Sequence, residues 1–249
     1  MVMMLKAERW QRILQLVNQA GFVRSEELAQ TLDCAEITIR RDLIALAEVG
    51  KLVKVHGGAV SNKQQKAKTD VPVGTRTAEA VQQKIRIAEQ AAELIDAGSH
   101  IYLDAGTSVS MMIPLLEDKD IVVYTHGLHH IPELIAHHIP TYIIGGRLKA
   151  ETSAAVGGPA IRMIETIRID YAFMGTNGIS PTFGFSTPEQ EEATIKQAII
   201  KQAKQVYILA DSDKFDQESY IQFAGHQDAT IITDQKPNEK YQNFNIITI

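Results

Sequence analysis

The chain of 249 residues has one cysteine, Cys34, and one tryptophan, Trp10. No disulfide can close within it, which suits a reducing compartment. Cys34, beside an expected turn, reads as a small apolar filler rather than a nucleophile. Aromatic residues make up only 6% of the chain, so a stacking platform for single-stranded nucleic acid is disfavoured. No uncharged apolar run approaches the ~18 residues a membrane span needs. The apolar start, Met1 to Leu5, is too short for a signal-peptide core and runs at once into Lys6, Glu8, Arg9 and Arg12. A cytoplasmic protein with no membrane partner is expected. An excess of positive charge is also lacking, the net value being −5.

That charge is unevenly spread. Residues 1–68 hold 11 Lys and Arg against 7 Asp and Glu, a net of +4, and the remainder carries −9. A small basic head on an acidic body is the asymmetry of a DNA reader with a second domain attached.

Trp10, Ile13, Leu14 and Val17 recur at helical spacing, and Gly21 ends that helix. Phe22 and Val23 form a short extended piece. Ser25 is placed to cap a second helix running to Leu32, with Glu26 and Glu27 at its positive end. Asp33, Cys34 and Ala35 make a short turn into a third helix, Glu36 to Val49, stopped by Gly50. Leu52 to Val55 alternates as a strand, and Gly57-Gly58 permits a tight hairpin into Ala59-Val60. Three short helices and a hairpin within residues 1–60 give a winged helix-turn-helix. Residues 61–75, polar and aperiodic, read as a linker, and 76–249 as a second domain.

In the third helix Ile39, Leu43 and Leu46 share one face and should pack inward. Thr38 and Arg41 fall elsewhere, with Arg40 near Glu36. A recognition helix needs this division, its apolar side held on the domain while short polar and Arg side chains reach base edges. Lys51, Lys54, His56 and Gly57 are placed to meet phosphates at the wing. The alternative for Arg40-Arg41-Asp42 is a solvated, self-paired helix face; the surrounding pattern favours DNA.

These residues resemble the DeoR-type family of bacterial sugar-operon regulators. Arg9, Ile13 and Val17 stand four apart; Ala35-Glu36-Ile37-Thr38-Ile39-Arg40-Arg41-Asp42-Leu43 follows, and His56-Gly57-Gly58-Ala59 matches at the wing. The family usually has Ser where this chain has Ala35. Alanine cannot accept from the helix N–H groups, a loss of about 1 kcal/mol, which Asp33 is expected to offset.

Beyond residue 76 the pattern alternates. A helix is expected at 78–96, then strands at 101–103, 121–124, 141–144, 171–174, 206–209 and 230–233. Helices at 109–116, 128–136, 155–166 and 191–204 lie between them. Such alternation predicts an open α/β domain with a mostly parallel sheet. Asp104-Ala105-Gly106-Thr107-Ser108 follows a strand and precedes a helix, a natural anion cradle. It is not a Walker loop, since no Gly-Lys-Ser/Thr follows, and no cofactor is expected. Thr125-His126-Gly127, Gly145-Gly146-Arg147 and Gly175-Thr176-Asn177-Gly178 hold comparable positions. Ligands in open α/β sheets bind beyond the carboxyl ends of strands, so these four loops should converge on one pocket. Glu192 and Lys196, at i and i+4, are either a surface ion pair or part of that pocket. The pairs His129-His130 and His137-His138 lack spaced acidic or Cys partners, so no metal site is expected.

This region resembles the DeoR-type sensor domain, related to ribose-5-phosphate isomerase and CoA-transferase folds. The resemblance implies a phosphorylated sugar held by Asp104, Gly106, Thr107, Ser108, Gly145, Gly146, Gly175 to Gly178, Glu192, Lys196, Asp211 and Lys214. Tyr102 to Gly106 and Thr187-Pro188 look most like regulators of fructose or related phosphotransferase-system operons, which implies fructose 1-phosphate or a related ester. Where the family often has Asn-Ser, this chain has His126-Gly127, so ester choice is expected to differ. A helix-turn-helix reader of paired half-sites implies a homodimer or homotetramer. The competing reading is a sugar-phosphate isomerase using Asp104, Glu192 and Lys196 as acid/base groups; it does not need the basic head.

Overall fold

The computed structural model describes residues 5–62, 67–69 and 72–249. Met1 to Met4, and residues 63–66, 70 and 71 of the expected linker, lie outside the described residues. The chain divides into two compact units, Met1–Lys66 and Ala67–Ile249.

In the first unit, α1 (Lys6–Ala20) buries Ile13 and Val17 and stops at Gly21, whose positive φ of 77° no β-branched residue adopts cheaply. Then come β1 (Phe22–Arg24), α2 (Ser25–Thr31), α3 (Glu36–Glu48), β2 (Leu52–Val55) and β3 (Gly58–Ser61). The strands form an antiparallel sheet in the order β1-β3-β2. Ile13, Val17, Leu28, Ile39, Leu43, Leu46 and Leu52 make one small core. Two expected caps are absent. Ser25 is the first residue of α2 rather than its cap, and its backbone N–H is taken by Gly57 O at 2.9 Å. Neither Ala35 nor Asp33 caps α3; Asp33 turns the chain with φ 47° instead.

The second unit contains α4 (Val73–Thr77), α5 (Val81–Glu93), β4 (Ser99–Leu103), α6 (Thr107–Ser110), β5 (Ile121–Thr125), α7 (Ile131–Ala136) and β6 (Thr141–Ile143). It continues with β7 (Arg147–Lys149), β8 (Ala154–Val156), α8 (Gly158–Ile164), β9 (Ile169–Met174), β10 (Gly178–Ser180), β11 (Gly184–Thr187) and α9 (Gln190–Gln202). Last are β12 (Ala203–Leu209), β13 (Ile221–Ala224), β14 (Thr230–Thr233) and β15 (Asn245–Thr248). Seven strands form one sheet in the order β15-β14-β12-β9-β4-β5-β6, every pair parallel.

Because successive side chains alternate, Ile101, Leu103, Tyr171, Phe173 and Leu209 build one core beside α5. Tyr102, Ala172, Met174 and Ile208 build the other beside α8 and α9. Two parts of the expected layout are corrected. Residues 155 and 156, expected to open a helix, belong instead to β8, which pairs with β7; Gly157, at φ 93°, separates this strand from α8. The expected linker is partly ordered, with Ser61 in β3 and Val73–Thr77 helical. Among the described residues no helix is long and apolar enough to cross a membrane.

Candidate functional site

On α3, Ile39, Leu43 and Leu46 are buried and Arg40 and Arg41 exposed. Thr38 is half-buried beside them. Arg40 donates from Nε and Nη2 to Glu36 Oε1 at 3.0 and 2.7 Å. Asp42 does not belong to this solvated group. It is buried, accepting from Arg9 Nε at 2.5 Å on Oδ2 and from Trp10 Nε1 at 2.8 Å on Oδ1. That bond to Asp42 raises the Arg9 guanidinium pKa. An uncompensated buried carboxylate would be costly; with both oxygens satisfied it ties α3 to α1 and sets which side of α3 faces out.

At the wing, Lys51, Lys54, His56 and Gly57 are all exposed. The turn between β2 and β3 is His56-Gly57, with Gly57 at φ 77°. Gly58 is fixed for another reason, since a Cβ there would stand 2.3 Å from Val23 O. Ser25, 4% exposed, supports this corner through its backbone rather than presenting its hydroxyl.

In the second unit the carboxyl ends of β12, β9, β4 and β5 are neighbours, which brings Asp211, Gly175, Asp104 and His126 to one edge of the sheet. Asp104 Oδ2 accepts from Gly175 N at 2.9 Å and from the Lys196 ammonium, and Lys196 Nζ also donates to Gly175 O at 2.9 Å. Asp104 Oδ1 lies 3.8 Å from His126 Nε2, while His126 Nδ1 is 2.7 Å from Tyr102 OH. Burial works to raise the Asp104 carboxyl, but Lys196 and His126 outweigh it and hold its pKa below the ordinary range. Burial lowers the His126 pKa against the pull of Asp104.

Thr107 and Ser108 open α6 and are buried, and Gly106 passes close to Gly175. Thr125 Oγ1 donates to Leu103 O at 2.7 Å and stands 3.0 Å from His130 Nδ1. His130, buried and flanked by His129 and His126, has its pKa pushed down to about 3.

Glu192 does not pair with Lys196. Its Oε1 accepts from Lys149 at 3.0 Å and its Oε2 lies 3.3 Å from Thr187 Oγ1, which lies 3.3 Å from Asn177 Oδ1. Burial opposes its ionisation, yet Lys149 and Lys196 hold the Glu192 pKa low.

Other expected residues stand apart from this network. Arg147 is exposed and paired with Glu191, and Gly145 is exposed. Gly146 and Gly178 serve close packing, since a Cβ would come within 2.5 Å of Val156 O and Gln217 O respectively. Asp211 accepts from Asp213 N at 3.0 Å and so caps the turn carrying Lys214.

Two basic residues not singled out in the sequence join Asp211 and Lys214. Lys84, buried on α5, donates to the Arg76 carbonyl and interacts electrostatically with Asp211 and Lys214. Burial lowers its pKa to about 8, against the attraction of Asp211. Arg76, on α4, has Nε and Nη2 buried with no hydrogen-bond partner among the described residues. His129 interacts with both Arg76 and Asp104, and burial lowers its pKa against a backbone hydrogen bond at Ser153. Buried donors are nearly always satisfied, and an acceptor-rich anion has the chemistry to satisfy the two on Arg76. Their signal in the sequence is the spacing of Arg76 and Lys84, eight residues apart on either side of a helix start. Among the described residues no cluster of His, Cys, Asp and Glu is placed to hold a metal.

Known proteins agree with this division. Residues 9–65 match the family described as the DeoR-like helix-turn-helix domain, and 79–235 match the DeoR C terminal sensor domain. The uncharacterized HTH-type transcriptional regulator FruR of Bacillus subtilis (strain 168) is 41% identical over 247 residues, covering 99% of this chain and 98% of that one. The lactose phosphotransferase system repressor of Staphylococcus aureus (strain NCTC 8325 / PS 47) is 30% identical over 243 residues, covering 96% of each. A solved ribose 5-phosphate isomerase A from Methanocaldococcus jannaschii aligns with a TM-score of 0.40 and 16% identity over 53% of each chain. On the matched domains and the full-length relatives, the chain belongs to the DeoR family of transcriptional regulators.

Proposed function

We propose that the protein represses a carbohydrate-utilisation operon, and that a phosphorylated sugar bound in its second unit controls operator affinity. DNA is met by Thr38, Arg40 and Arg41 of α3, with Lys51, Lys54, His56 and Gly57 at the wing. The ester occupies the carboxyl edge of the parallel sheet. Its phosphate is taken by Arg76, Lys84 and Lys214, and its hydroxyls reach the network of Asp104, His126 and Lys196. One observation carries this reading: Arg76 Nε and Nη2 are buried without a hydrogen-bond partner among the described residues, and Arg76 interacts with Lys84. A phosphate supplies the acceptors that Arg lacks. The name of the lactose phosphotransferase system repressor favours a phosphotransferase-system sugar, with fructose 1-phosphate or a related ester as first candidate.

Control follows from linkage. An ester that binds one state better changes DNA affinity by the same coupling free energy with which DNA changes ester affinity. A homodimer or homotetramer supplies the paired heads that half-sites one helical turn apart require. The isomerase reading is weaker, because Asp104 Oδ2 is held by Lys196 and Gly175 and Glu192 by Lys149, leaving no lone base. The test is melting of the full chain with fructose 1-phosphate, fructose 6-phosphate and tagatose 6-phosphate, alongside an isomerisation assay. A stabilising ester without turnover supports the proposal; isomerisation well above blank overturns it.

A further inference from the structure

The outward face of α3 is not simply polar. At 100° per residue, Ile37, Arg41 and Ile44 lie within about 60° of one another, opposite the buried Ile39, Leu43 and Leu46. Ile37 is 59% exposed and Ile44 45%. Neither packs into the core, and β-branched residues are not chosen for helix propensity. Two large apolar groups therefore stand in water beside Arg40 and Arg41. Charge names the occupant: the stripe is bordered by exposed arginines on a head of net positive charge, which suits a polyanion rather than a second copy of the same basic surface.

Within a recognition helix the N-terminal residues reach the base edges, and Ile37 is the second residue of α3. The apolar feature on the floor of the major groove is the thymine 5-methyl group. Arg40 is engaged with Glu36, whereas Arg41 stands one turn from Ile37 on the same face.

We infer that Ile37 reads a thymine methyl group in each operator half-site, next to the base pair contacted by Arg41. The contact hides a methyl and part of the isoleucine from water, and only a base pair carrying that methyl rewards it. Ile37 is thus a specificity-determining residue, and its inference rests on operator binding by α3.

The test uses the full chain and a duplex selected by it from a randomised library. Each dT of one half-site is replaced in turn by dU, which removes only the methyl group. One position should weaken binding by about fourfold, the contribution of one buried methyl. For Ile37→Ala the dT and dU duplexes should bind equally, while Ile37→Val keeps most of the difference. Melting and circular dichroism confirm that both variants fold, as an exposed position predicts. Unequal binding that persists in Ile37→Ala overturns the inference, as does indifference of the parent protein to every dU. If Ile37→Ala changes the oligomeric state while dU has no effect, a second copy covers the stripe and the inference is wrong. Failure to select any sequence would instead remove the operator-binding reading beneath it.

Discussion

Replacing Lys196 by Met strands the Asp104 carboxylate inside the protein. Both groups are about 5% exposed, Asp104 at 4% and Lys196 at 5%. Removing one partner of such a buried pair costs roughly 3–5 kcal/mol. Asp104 keeps the Gly175 N–H at 2.9 Å, so a loss near 3 kcal/mol at neutral pH is expected. The pH dependence gives a second readout. In the parent protein the folded Asp104 pKa is depressed. Its stabilisation is therefore complete above the unfolded value of about 3.9 and fades as pH falls through the folded pKa. In Lys196→Met, burial acts without its main counterweight and the folded pKa rises above the unfolded one. Stability is then penalised above that raised pKa and recovers as the carboxyl takes a proton at lower pH. The gap between variant and parent should be larger at pH 7.5 than at pH 5. Urea unfolding followed by circular dichroism measures it, and adding Asp104→Asn should recover much of the loss. Trp10, the sole tryptophan, sits in the first unit, so its fluorescence transition should stay in place. A loss under about 1 kcal/mol, equal at both pH values, would refute the buried pair.

Three further outcomes are expected. Arg41→Ala should cost about 1–3 kcal/mol of specific binding and relax one operator position; unchanged sequence preference in a selection experiment would remove Arg41 from base reading. Gly58→Ala forces a Cβ to 2.3 Å from Val23 O, and such overpacking costs about 1–3 kcal/mol; a melting curve of the head that does not move would contradict it. Lys84 has a pKa of about 8, so ester affinity should be greatest below that pH and fall above it, by at most about tenfold per pH unit for one proton. Calorimetric titration of Lys84→Met should show weak binding with that slope gone, and a persisting slope would assign the proton to another group.

The head was legible because its signals are local. Ile39, Leu43 and Leu46 repeat at helical period, and Gly21 and Gly57 stand where positive φ is needed. Asp42 was not legible: beside Arg40 and Arg41 it reads as solvated charge, and its partners Arg9 and Trp10 lie more than thirty residues earlier. Ser25 failed as a cap because the helix starts one residue sooner than expected, with Arg24 in the extended cap position and Ser25 already helical. In the second unit the apolar runs of the parallel strands stood out, whereas Ala154–Val156 is too short for periodicity to separate strand from helix. The antiparallel sheet β10-β11-β13 passed unread for the same reason. The spacing of Glu192 and Lys196 suggested a pair on one helix. Their partners are instead Lys149 on β7 and Asp104 beyond β4, contacts that only the fold creates. Arg76 is the first residue after the expected linker, and its burial beside His129 rests on contacts that only the fold creates.

We propose that a sugar ester controls operator affinity through the second unit. Fluorescence anisotropy of the full chain on DNA from upstream of its operon, titrated at fixed salt with fructose 1-phosphate, fructose 6-phosphate and tagatose 6-phosphate, tests it most directly. One ester should shift the affinity, and Arg76→Gln should bind DNA equally well but no longer respond. An operator affinity that no phosphorylated sugar moves, or a response that survives in Arg76→Gln, would contradict it.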